Sequence, residues 1–163
     1  MENDKLESWS EMIQNMIRGV GENLGPEEDW VPCLWSWGDA VELMAIADNG
    51  LKNDAAIAEL GARMQENNTT AYALWYTGWG KTLSVEEQKY AEAENIDMAK
   101  VSAMPGRQEI VMLHIVDNEG HFIFLRANVT RHADKAPELG PFERFDEGVT
   151  EWSGRLDFRK YLK

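Results

Sequence analysis

Gly78-Trp79-Gly80-Lys81-Thr82 ends in the glycine-lysine-threonine that a phosphate-binding loop wraps around phosphate oxygens, and the residues before it suit a strand. That loop needs another glycine five residues before Gly80, where this chain has Trp75, and a helix that starts at once, whereas the next capping signal is Ser84. Nucleotide chemistry is not supported, and a two-glycine turn with an exposed or interfacial Trp79 accounts for the residues. His114 and His121 fall on opposite parities of one hairpin and His132 has no ligand-spaced neighbour, so no metal site is expected. His114 reads as a partly buried structural histidine rather than a general base.

The single cysteine, Cys33, lies between Pro32 and Leu34 and reads as a buried, inert thiol; acids at Glu27, Glu28 and Asp29 would only raise its pKa. Carboxylate pairs at Glu86/Glu87, Glu92/Glu94 and Glu27 to Asp29 sit where solvated charge is the default, with no strand end or pocket to give them acid and base roles. The Asn-Xaa-Thr triplets at Asn67, Asn68 and Asn128 matter only in a secretory context. The N-terminal Met-Glu-Asn-Asp-Lys, acidic where a signal peptide is basic, does not suggest one. No cofactor is expected, and catalysis is the less favoured reading.

Charge says more. Residues 1–100 hold 19 acids and 7 bases, a net of −12, while residues 101–163 hold 10 acids and 9 bases, a net of −1. Such a field repels phosphate, which argues against direct contact with nucleic acid or an anionic membrane. Arg155, Arg159, Lys160 and Lys163 form a basic end that reads as solvated. Every apolar run is far shorter than the roughly 20 residues of a membrane span, so a cytoplasmic location is expected, the host cytoplasm if the gene is a phage's.

These residues need elements to hold them. Arg107 to Asn128 reads as one β-hairpin: a three-residue loop Asn118-Glu119-Gly120, with Gly120 left-handed, pairs Ile115 with Ile123, Leu113 with Leu125 and Val111 with Ala127. The opposite face sets Met112, His114 and Val116 against Arg126, Phe124 and Phe122. That face is half apolar, so either the C-terminal segment around Trp152 or a partner must cover it, the former being favoured. A second hairpin spans Trp30 to Ala47 around a two-residue turn at Gly38-Asp39, pairing Trp35 with Glu42 and Cys33 with Met44; Pro32 puts its strand on an edge or makes it start late. Thr70 to Trp79, apolar on both faces, reads as a central strand.

Leu6, Trp9, Ile13, Met16 and Val20 mark one stripe of a helix over 4–20, and Asn53 can cap a second over 53–67. A capping box at Ser84 to Glu87 opens a short helix within an excursion over 81–106, and Thr130 to Lys163 reads as a loop packing back through single aromatic anchors. The expectation is a single α+β domain over 1–163. It has an antiparallel sheet of about five strands, two hairpins plus a central strand, with both helices packed mainly on one face.

From the central strand onward the chain resembles small uncharacterised α+β proteins of bacteria and their phages. The matching residues are Ala71 to Trp79, then Pro105-Gly106-Arg107-Gln108-Glu109-Ile110-Val111-Met112, then Leu139-Gly140 and Gly154-Arg155. The resemblance implies a bacterial or viral origin and supports the fold reading without adding an activity. It singles out Arg107 and Glu109, whose simplest role is an ion pair closing the start of the hairpin.

Seven tryptophans, five of them in the first hairpin and the central strand, read first as a Trp-lined core, with an exposed aromatic patch as the functional alternative. Acidity joined to this surplus, without a catalytic constellation, favours a non-catalytic accessory or inhibitor that binds another protein, a basic one by charge. An acidic mimic of nucleic acid and a small enzyme with a scattered site stay open, as does a homodimer. The candidate binding residues are Trp79, Arg107, Glu109, His114, Phe122 and Phe124.

Overall fold

The computed structural model describes residues 3–47, 50–80, 86, 107–146, 154 and 156–163. Its centre is β3 (Ala71–Gly80), between β1 (Cys33–Trp37) and β4 (Gln108–Asp117); β2 (Val41–Ala45) lies outside β1, and β5 (Phe122–Thr130) outside β4. Two short strands, β6 (Glu138–Leu139) and β7 (Glu143–Arg144), both pair with β5. All pairings are antiparallel, and with helices α1 (Asn3–Glu22) and α2 (Asp54–Glu66) the fold is α+β. Among the described residues there are seven strands, not about five. The two extra ones are two residues long, too short to carry an alternation.

The main hairpin has the expected register: Ile115 opposite Ile123, Leu113 opposite Leu125, Val111 opposite Ala127. Gly120 has φ +89°, and Asp117 locks the loop by accepting the Glu119 and His121 amides on Oδ1. The first hairpin is shifted by one residue. Leu34 faces Met44, Trp35 faces Leu43 and Trp37 faces Val41 around a three-residue loop, Gly38-Asp39-Ala40. The cause is distant in sequence. Asn67, at the end of α2, accepts the Ala40 amide at 2.9 Å and donates to the Ala40 carbonyl at 2.9 Å and to Ser36 Oγ at 3.0 Å, while its own carbonyl takes the Asp39 amide at 2.7 Å. Gly38 lets the loop come this close, since a Cβ there would lie 2.0 Å from the Asn67 carbonyl oxygen.

β3 has no polar face, so both of its faces must be covered. Ala71, Ala73 and Trp75 join Leu6, Ile13 and Ile17 of α1 in one core; Tyr72 and Leu74 join Ile57, Leu60 and Met64 of α2 in the other. The helices therefore lie on opposite faces, contrary to the expectation of one. Asn53 caps α2, its side chain accepting the Ala55 and Ala56 amides. On α1 the buried stripe runs through Leu6, Ser10, Ile13 and Ile17, so Met16 and Val20, expected inside, are exposed. Trp30 decides between the two stripes: its indole lies against Gly21 and donates to the Ile17 carbonyl at 2.8 Å, turning that side of the helix inward.

The C-terminal segment closes the α2 face. Phe158 is fully buried against Tyr72, Phe145 packs on Phe124, and the Lys163 amide bonds the Thr69 carbonyl. The end of the chain is thus docked through its aromatic anchors, as expected, while the basic side chains of Arg159, Lys160 and Lys163 stay exposed. Trp152, Arg155 and most of the 81–106 excursion, including Ser84 of its capping box, lie outside the described residues. No helix among the described residues is long and apolar enough to cross a membrane.

Candidate functional site

Among the described residues β2 is an edge strand, paired on one side only. Main-chain direction alternates along an antiparallel pair, and two bonds set the phase here: the Ile46 amide to the Pro32 carbonyl, and the Gly38 amide to the Ala40 carbonyl. Glu42 and Met44 therefore turn their amides and carbonyls inward to β1. Val41, Leu43 and Ala45 turn theirs outward. Pro32, opposite Ile46, supplies a carbonyl and no donor, which is why β1 starts only at Cys33.

Those three residues also point their side chains to the α1 face, where Val41 is 63% and Leu43 51% exposed. The apolar surface continues inward and upward. Val41 faces Trp37, and Trp37 stacks on Trp9 of α1 with ring centroids 4.0 Å apart and planes 4° from parallel. Met12, Met16 and Val20 lie within the next turns on the same flank of α1, 36–43% exposed. The opposite flank is tied elsewhere: Arg18 donates to the Leu139 and Gly140 carbonyls, and Glu7 pairs with Arg144. Beneath the edge, Trp35 is buried and its indole N–H has no acceptor among the described residues.

On the other face of β2 a groove of about 220 Å³ separates the stretch from Met44 to Ala47 from α2, walled by Ile46, Ala56 and Leu60, with Glu59 and Arg63 as its charged rim. Glu42 points to this face as well, since it lies between Val41 and Leu43 and shares the parity of Met44 in the alternation.

The residues singled out from sequence fall into three places. Trp79, 44% exposed, stacks under the Arg107 guanidinium, 5.0 Å from its ring centroid. Glu109 does not pair with Arg107 as expected; its carboxylate takes Arg131 Nε at 3.0 Å and Nη2 at 2.6 Å, and Arg131 also binds Asp29 and the Glu28 carbonyl. His114, Phe122 and Phe124 form one aromatic row with Tyr76 and Phe145. Phe124 is 6% exposed there, covered by the C-terminal segment. Sequence patterning misses Val41 and Leu43 because a two-residue turn sets Trp35 against Glu42, and Met16 because it places that residue on the buried stripe of α1.

Burial governs the titratable groups of that row. His114 sits between Phe124 and Tyr76, its Nε2 3.3 Å from the Tyr76 hydroxyl and its Nδ1 without a partner among the described residues; burial lowers its pKa to about 4. Burial likewise lifts Tyr76 to about 12 and pushes the Cys33 thiol up. Asp146 feels burial raising its pKa, yet Arg144 and the Phe124 amide outweigh that and hold it below the usual carboxylate range. Asp117, Glu119 and His121 could offer three ligand atoms within 4.8 Å of one another. Asp117 already spends both oxygens on the turn, Oδ2 taking His121 Nδ1 at 2.8 Å.

Searches of protein-family models, of curated proteins and of solved structures find no match to the chain.

Proposed function

We propose that the protein acts by binding another protein, without chemistry of its own, and that the contact is made by the edge of β2 with the adjoining flank of α1. The observation that carries this reading is a coincidence: outward main-chain donors and acceptors at Val41, Leu43 and Ala45 lie beside exposed Val41 and Leu43 side chains and the Trp9, Met12 and Met16 flank. Sheet edges are ordinarily guarded by lysine, proline, bulges or covering loops. Val41–Ala45 carries no lysine, proline or bulge, Glu42 being its one charged residue, and among the described residues no strand pairs with its outer side. The net charge of −13 steers toward a basic partner, and the apolar flank supplies the buried anchors of the contact.

The test is capture of a partner by the wild-type chain and by a Leu43→Asp, Met12→Asp variant whose melting temperature is unchanged. The double variant is expected to lose the partner. Retention by both chains would contradict the reading. A complex that weakens steeply with salt and is displaced by DNA would instead favour the nucleic-acid mimic.

A further inference from the structure

We infer that the occupant of the β2 edge is an extended, basic segment of the partner, added to the sheet as a further strand with alternating apolar and basic side chains. This rests on the protein-binding reading above and specifies its mode. The edge presents three residues with open donors and acceptors, Val41, Leu43 and Ala45, spaced as a strand partner needs them. A helix laid on the same flank would leave those groups without main-chain partners.

The two faces of β2 then fix the pattern of the segment. A side chain opposite Leu43 lies on the α1 face, against Leu43 and Val41, and an apolar residue suits it. Its chain neighbours point to the α2 face, where Glu42 projects from β2 and the groove's charged rim is Glu59 and Arg63. Lysine or arginine fits there, its aliphatic stem along Ile46 and Leu60 in the groove and its charge at Glu59 or Glu42. A second copy of this chain would offer the same edge but bring a second net charge of −13 against the first, which is why a basic segment is preferred to self-pairing.

The probe is an acetylated and amidated octapeptide of alternating lysine and valine, titrated into the isotope-labelled full chain and followed by amide exchange. The expected result is protection of the Val41, Leu43 and Ala45 amides, with binding weakened about tenfold or more by Glu42→Lys, by glutamate in place of lysine in the peptide, and by N-methylation of alternate peptide amides. The methylated peptide leaves the protein untouched, so its failure cannot be blamed on misfolding. No protection at these amides, or equal binding of the acidic and methylated peptides, overturns the inference. So does protection that rises with protein concentration in the absence of peptide, which would assign the edge to a second copy. If the peptide fails while partner capture still depends on Leu43 and Met12, only the strand mode is lost; if capture is also indifferent to them, the protein-binding reading falls with it.

Discussion

The two edges of the sheet are finished differently. Outside β5 the chain covers itself: β6 pairs at Val129 and Thr130, β7 at Leu125 and Arg126, Asp146 accepts the Phe124 amide, and the Phe145 amide bonds the Phe124 carbonyl. Arg144 then ties β7 to Glu7 of α1 and to Asp146, and Arg18 holds the carbonyls of Leu139 and Gly140. Outside β2 no described strand follows, and the exposed side chains are aliphatic. One edge is therefore built into the folded core, while the other, among the described residues, keeps its outward main-chain groups unpaired.

Matched substitutions give the largest contrast. Val129 is 3% exposed in the core beneath the covered edge, so Val129→Asp should cost at least about 4 kcal/mol by burying an unpaired charge. Leu43→Asp on the open edge should change stability by no more than about 0.5 kcal/mol. Urea unfolding of both variants reads the difference. Similar losses at the two sites would show that β2 is as integral to the fold as β5.

The covered side also carries a pH signature. His114 has its pKa lowered to about 4 by burial, against the ordinary 6.5 that it regains on unfolding. Between those values the unfolded chain takes up a proton that the folded one refuses, so stability falls as pH drops through that window, by on the order of 3 kcal/mol in all. His114→Phe should flatten this part of the stability profile, and an unchanged slope would contradict the burial argument.

Next in size is the lock on the β1–β2 loop. Asn67→Ala removes the side-chain bonds to Ala40 and Ser36 and should cost about 1–3 kcal/mol, with loosening confined to the β1–β2 hairpin in amide exchange. Loosening that spreads instead to β4 and β5 would count against so local a role. Gly120→Val is the smallest, about 1 kcal/mol or more from a β-branched residue forced to positive φ in the main hairpin. A melting temperature that did not move would contradict the left-handed turn.

The same contrast explains what was legible in the sequence. The β4–β5 hairpin could be read to the residue because one glycine fixes its loop and strict alternation does the rest. The β1–β2 hairpin could not, since an amide on Asn67 at the end of α2 selects a three-residue loop where Gly38-Asp39 alone suits two. On α1 two stripes with the same spacing share Leu6 and Ile13, and distant contacts, among them that of Trp30 with Gly21 and Ile17, distinguish them. The candidate surface was hidden for the same reasons: a one-residue shift moves Leu43 opposite Trp35, and the choice of stripe leaves Met16 and Val20 outside. Trp79 and Arg107 were singled out separately and are brought together by stacking, whereas Glu109 is claimed by Arg131, which no local pattern connects to it.

Amide hydrogen exchange on the dilute, unliganded chain tests the open edge most directly. The Val41, Leu43 and Ala45 amides should exchange nearly as fast as unstructured ones, while those of Glu42 and Met44 between them, and of Phe124 on the covered edge, stay protected. Equal protection along all five residues of β2 would mean that the edge is already occupied, and would contradict the account.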